Sequence, residues 1–245
     1  MVRFRVQPIA GSALGAALAL ALMSGPAMAA GAPPDISGTY WAAEYRAKIA
    51  LVGGGELPLT AAGRAAYEMN MAGFRDGTLV DGARKFCTPD GVPRVLATPH
   101  PFEIVQSPPG QVLFLHELNH QIRTVPLNQA LPPMRELIPA PWFNGHSVGR
   151  WQGDTLVVQS AGFNDRTFLD ATGAPHTDQL TTTERWRKTS PTELEVVVTI
   201  HDPEYYSGDW QARFTYTLRP DVRIEDYVCG EEHRDLSSVR GVRRP

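Results

Sequence analysis

The residues with the types and spacing for chemistry fall into three groups. The first is His116-Glu117-Leu118-Asn119-His120, an H-E-x-x-H string. On a helix it would put two imidazoles on one face for zinc, with the glutamate as general base. On a strand the two histidines sit about 13 Å apart, too far to share one ion. The flanking QVLFL favours a strand, and no H-E-x-x-H-x-x-G-x-x-H extension follows. A zinc-dependent hydrolase is therefore kept as a second alternative, to be promoted if residues 113 to 124 are helical.

The second group comes from alternation, since residues two apart in a strand share a face. This puts His116 with Val112, Phe114 and Leu118, and adds His120 if the strand runs on; a bulge at Asn119 would turn His120 outward. It also aligns Leu180, Thr182, Glu184 and Trp186 on one strand, and Val196, Val198, Ile200 and Asp202 on another. Trp210, Ala212, Phe214, Tyr216 and Leu218 share one face of a third. The expected interior polar set is thus His116, His120, Glu184 and Asp202. A carboxyl beside Trp186 in an apolar lumen would be desolvated and would exchange protons near neutral pH. The structural alternative pairs Glu184 with Arg123 or Arg185.

The third group is the loop of Asn164, Asp165, Arg166 and His176, where Asp165 could orient His176 as a base and Arg166 could bind a carboxylate or phenolate. Asx-turn chemistry accounts for GFNDRTFLD equally well. Gly145-His146-Ser147-Val148-Gly149 fits the letters of G-x-S-x-G, but that pattern marks a nucleophile on a strand-to-helix elbow, and here a strand follows.

These groups need a scaffold. Residues 1–29 read as a secretory signal peptide: Arg3 and Arg5, an Ala/Leu-rich run, then Ala27-Met28-Ala29. Residues 30–245 form one expected domain. Its first strand is SGTYWAAEY, with Trp41 closing one end of a core. A helix is expected from Leu59 to Phe74, capped by Thr60, with Gly73 near its end. Residues 75 to 95 read as loop. FEIVQS and QVLFLHEL make a hairpin around PPG, and HQIRTVPL continues the second strand or follows a bend at Asn119. Residues 128 to 147 form a proline-rich crossing loop of a length usual for a lid or binding element. VGRW, TLVVQSAG, QLTTTERWRK, LEVVVTIHD, DWQARFTYTL and VRIEDYVC then follow as a meander of strands. The fold class is mainly β, an antiparallel meander closing into a lipocalin-like barrel with one N-terminal helix.

Composition narrows the partners. The sequence holds 23 Lys/Arg and 26 Asp/Glu; without Arg3 and Arg5 the basic count is 21 and the formal charge about −5. That balance argues against nucleic acid, and no stable membrane insertion is expected after signal cleavage. Cys87 and Cys229, the only cysteines, would most simply form one disulfide in an oxidising compartment.

Three strings, HPFEIVQSPPGQVLFLHELNHQIRTV, GRWQGDTLVVQSAGFNDRTFLD and GAPHTDQLTTTERWR, resemble a widespread family of exported bacterial proteins of unassigned function. The resemblance spans roughly Leu57 to Asp235 and implies no activity residue by residue. At the level of architecture alone, the expected barrel looks like lipocalins and the lipocalin-like phenolic acid decarboxylases, which work without a cofactor. The leading expectation is a periplasmic or secreted lyase or isomerase that uses no cofactor and no metal. It would act on a small aromatic or apolar molecule in the barrel mouth. His116, His120, Glu184, Asp202 and His176 would handle protons, and Arg123, Asn164, Asp165, Arg166, Trp186 and Tyr216 would bind substrate. The alternative is a non-catalytic small-molecule-binding barrel with the same apolar lumen.

Overall fold

The computed structural model describes residues 33–138 and 142–227. The expected signal peptide and Cys229 lie outside these residues. Cys87, within them, is not a free thiol.

Nine antiparallel strands follow one another in a single sheet: β1 (Gly38–Ala42), β2 (Phe102–Val105), β3 (Gln111–His116), β4 (Gln121–Pro126), β5 (His146–Gln152), β6 (Thr155–Ala161), β7 (Thr181–Ser190), β8 (Glu193–His201) and β9 (Trp210–Leu218). The order across the sheet is β4-β3-β2-β1-β9-β8-β7-β6-β5, a meander with β1 inserted between β2 and β9. The edge strands β4 and β5 meet through one parallel bridge, Leu127 to Gly149, and the Asn128 amide donates to the Gly149 carbonyl at 2.7 Å. The sheet is therefore a nearly closed barrel with one thinly bonded seam.

The alternation read from the sequence sets the inside. Val112, Phe114 and His116 are buried, as are Leu180, Thr182, Glu184 and Trp186, and Val196, Val198 and Ile200. Their rings and branched chains fill the interior: Trp186 lies 5.0 Å from Phe114 and 5.9 Å from Tyr216, ring centre to ring centre. The lumen is a packed core at these levels, which is how small barrels fill their interiors.

Three expectations change. In β1 the buried aromatic is Tyr40, while Trp41 is 36% exposed, because the pleat of a five-residue strand turns neighbouring residues to opposite faces. Residues 222–227, expected as strand, have no ladder partner, and β9 is already paired on both sides by β1 and β8. Residues 75–95, read as loop, contain a short helix α2 (Gly82–Lys85), and a 3₁₀ turn follows at Arg94–Ala97.

The helix α1 (Ala61–Asp76) is bounded as its sequence suggests: the Thr60 hydroxyl accepts from the Gly63 amide at 3.0 Å. It ends at Gly77, whose φ of 76° suits a residue without a Cβ, whereas Gly73 lies buried inside the helix. The crossing segment between β4 and β5 carries one further short helix, α3 (Met134–Leu137).

Strand directions sort the connections by length. The β2–β3, β5–β6 and β7–β8 turns gather at one end of the barrel. At the other end lie residues 43–101, including α1 and α2, the short β3–β4 turn, and the loops 162–180 and 202–209. That second end is capped, and long loops on a rigid scaffold are where binding groups are placed.

Candidate functional site at the capped end

The residues expected inside the lumen form two separate structures. Glu184 on β7 meets Arg123 on β4 in a two-pronged ion pair, Nη1 to Oε2 at 2.8 Å and Nη2 to Oε1 at 2.5 Å. The Arg123 Nε donates to Ser147 Oγ at 3.0 Å and its Nη2 to Ser160 Oγ at 2.8 Å, while Trp186 Nε1 donates to Glu184 at 3.0 Å. Glu184 has no solvent exposure and Arg123 only 3%. All three Arg123 guanidinium nitrogens and both Glu184 oxygens are bonded within the protein. The structural alternative for Glu184 is the one realised. The same network takes Ser147 out of nucleophile chemistry, since it lies within β5 rather than on an elbow.

The HELNH string is neither a helix nor one strand. Its β3 part ends at His116, and residues 118–120 make a tight turn in which Asn119 and His120 have φ of 57° and 46°. His120 is therefore exposed instead of interior. His116 is buried against Phe102, ring centres 5.4 Å apart, and burial, with Arg123 nearby, pushes its imidazole down to about 3. The helical condition on which the zinc reading depended fails. Among the described residues no three His, Cys, Asp or Glu side chains group to hold a metal ion.

Asp202 and His176 fasten loops. The Asp202 carboxylate accepts from the Thr177 amide at 2.6 Å and from the Glu204 and Tyr205 amides, joining 162–180 to 202–209. His176 is bonded to Thr167 Oγ1 at 2.8 Å and to the Thr177 carbonyl at 3.0 Å, and burial lowers its pKa. Asp165, expected to orient it, is exposed and contributes no bond to the ring. Asn164 Oδ1 accepts from the Arg166 amide in an Asx turn, and the exposed Arg166 lies over the Phe143 ring. Tyr216 donates its hydroxyl to the Leu96 carbonyl at 2.7 Å. The structure brings together Arg123, Glu184 and Trp186, and separately His176 and Asp202, but not these two sets.

A group of charges that the sequence reading passed over sits under the cap. Arg94 is gripped by Asp81, with Nη1 to Oδ1 at 3.1 Å and Nη2 to Oδ2 at 2.6 Å, while its Nε lies 3.2 Å from Asp90 Oδ1. Asp90 also accepts from Gln121 Nε2 at 3.3 Å, and Asn144 donates to Gln121 Oε1. Burial raises the Asp90 pKa and Arg94 opposes it. For Arg94 burial acts against the charge, but the Asp81 bond, Asp90 and Asp170 outweigh it and its pKa rises.

Asp90 and Arg94 line a pocket of about 450 Å³. Tyr45, His100 and Tyr227 supply aromatic surface, Leu118 and Pro99 apolar surface, and Arg46 and Arg84 further positive charge. His100 packs edge-on to Tyr227, ring centres 5.1 Å apart, and lies 3.5 Å from Glu117. A concave, partly aromatic pocket with a few fixed polar groups is the usual form of a small-molecule site. One sequence signal for it existed: Arg94 interrupts the apolar run GVPRVLA, with Asp90 four residues before it. Charges inside such a run are buried and therefore paired.

No protein-family model matches the chain, and no curated protein matches it by sequence.

Proposed function

We propose that this protein is a small-molecule-binding barrel, exported to the periplasm or beyond the cell, that takes a small aromatic acid into the pocket under its cap. The observation that carries this reading is the Asp81–Arg94–Asp90 set, whose Arg94 and Asp90 are buried in the wall of a pocket of about 450 Å³. Fixed charges buried beside open space cost several kcal/mol to desolvate, and a ligand that shares their hydrogen bonds offsets part of that cost. Of the lining cations, Arg94 is held by Asp81 and Asp90 and Arg46 by Glu44. The exposed Arg84, 3.6 Å from Asp81, is therefore the group that engages an anion, and the rings of Tyr45, His100 and Tyr227 favour a flat apolar body. Export rests on the signal-like N-terminal sequence, and the mild net acidity speaks against nucleic acid.

Titration with 4-hydroxybenzoate, followed calorimetrically, tests the reading. Binding should be saturable, weakened at least tenfold by Ala47→Trp, which fills the pocket from an exposed lining position, and several-fold by Arg84→Ala. Equal affinity for the neutral amide, or no effect of Ala47→Trp, would overturn it.

Acid–base catalysis without a cofactor is the second reading, moved from Glu184 to Asp90. Its support is the raised Asp90 pKa beside the pocket, which suits a carboxyl that gives and takes protons. Asp90→Asn should then abolish turnover of a bound phenolic acid while leaving its affinity within a few-fold.

A further inference from the structure

The strap of residues 43–53 contributes to two pockets. Arg46 on the strap and Ala97 at the end of the 3₁₀ turn line both the aromatic pocket described above and a second pocket of about 470 Å³. The strap is pinned at four points: Ala43 and Val52 donate to the Thr215 and Gln211 carbonyls of β9, the Ile49 amide donates to Asp170, and Ala171 donates to the Ala47 carbonyl. Four hydrogen bonds, two to β9 and two to the 162–180 loop, hold this wall in place, so the space behind it is part of the folded shape.

The chemistry of the second lining differs from the first. Its apolar part is almost wholly aliphatic, with Ile49, Leu51, Leu96 and Ala97 joined by one ring, Phe214. Its charged part is Arg46, paired with Glu44 at 2.7 Å, Arg213, 3.4 Å from the Glu195 carboxylate, and Lys48, the lining cation without an ion pair among the described residues. A mostly aliphatic surface selects a flexible hydrocarbon chain over a flat ring, and the Lys48 ammonium selects a negative head group. The long Lys48 side chain can reach an anion while its methylenes cover the chain.

We infer that the pocket between the strap and β9 is a second, separate binding site for a small aliphatic anion such as a medium-chain carboxylate. It does not depend on the aromatic-acid reading of the first pocket. The two sites share Arg46 and Ala97 and are otherwise lined by different residues.

Calorimetric titration with decanoate, kept below its micelle concentration, tests this. Decanoate should bind with one-to-one stoichiometry and at least tenfold more tightly than decanol. Ala50→Trp, which fills the second pocket from an exposed position, and Lys48→Glu should each weaken it at least tenfold, whereas Ala47→Trp, on the first pocket, should leave it within twofold. Circular dichroism melts confirm that each variant is folded. Absence of decanoate binding, equal binding of decanol, or loss in Ala47→Trp with retention in Ala50→Trp would each overturn the assignment. A failure of 4-hydroxybenzoate to bind would leave this result standing, so the two proposals fail separately.

Discussion

His116 shows how far a buried side chain departs from its solution chemistry. It has 5% of its surface exposed, its Nε2 has no hydrogen-bond partner, and burial together with Arg123 pushes its pKa to about 3. The unfolded chain titrates near the ordinary value, about 6.5. Between those values the unfolded state binds a proton that the folded state refuses, so stability falls as pH falls from about 6.5 towards 3. The slope from this one residue approaches about 1.4 kcal/mol per pH unit. His176, also lowered by burial, acts in the same direction, while Asp90, raised by burial, acts in the opposite one below neutrality. Urea unfolding at pH 4.5 and 7.5 checks the argument: His116→Gln should lose markedly less stability on acidification than the parent. Equal losses would mean that the ring is protonated in the folded protein.

At the level of elements, what could be read from the sequence was what is periodic or locally capped. The inward faces of β7, β8 and β9 follow from alternation, and α1 starts where Thr60 can cap it. Trp41 misled because a large aromatic in a short strand carries no signal of register, and the single pleat decided for Tyr40. Of the Asp81, Asp90 and Arg94 site only the charge inside GVPRVLA was legible; its partners were not, because they lie up to thirteen residues apart in a segment without period, and Gln121 joins them from the start of β4. Helix propensity alone misjudges α1 as well. Gly63 would gain helix stability as alanine, yet an added Cβ there would run into the Tyr205 carbonyl of the 202–209 loop. Backbone at that point cannot yield cheaply, since the Thr60 amide also donates to the same carbonyl at 3.0 Å. Gly63→Ala should therefore destabilise by about 1–3 kcal/mol, seen as a lower Tm. A raised Tm would show that the helix and loop are not in close contact.

For the whole molecule the question is what closes the barrel. Eight strand pairs are held by continuous ladders, but β4 and β5 share a single bridge. Arg123 crosses that gap with side-chain bonds, from β4 to Ser147 on β5, Ser160 on β6 and Glu184 on β7. A buried ion pair gives little net stability over apolar packing, but losing one partner strands the other, at about 3–5 kcal/mol. Glu184→Gln should therefore lower stability to urea by roughly that amount without altering ligand affinity at the capped end. The loss should also be local before it is global, because sub-global opening follows the weakest junction. Hydrogen exchange in the folded variant should accelerate first in β4 and β5, with β8, laddered on both sides, least affected. Uniform acceleration across all nine strands would place the weak junction elsewhere. Loss of 4-hydroxybenzoate binding in a fully folded Glu184→Gln variant would instead return Glu184 to the functional site, as alternation alone suggests.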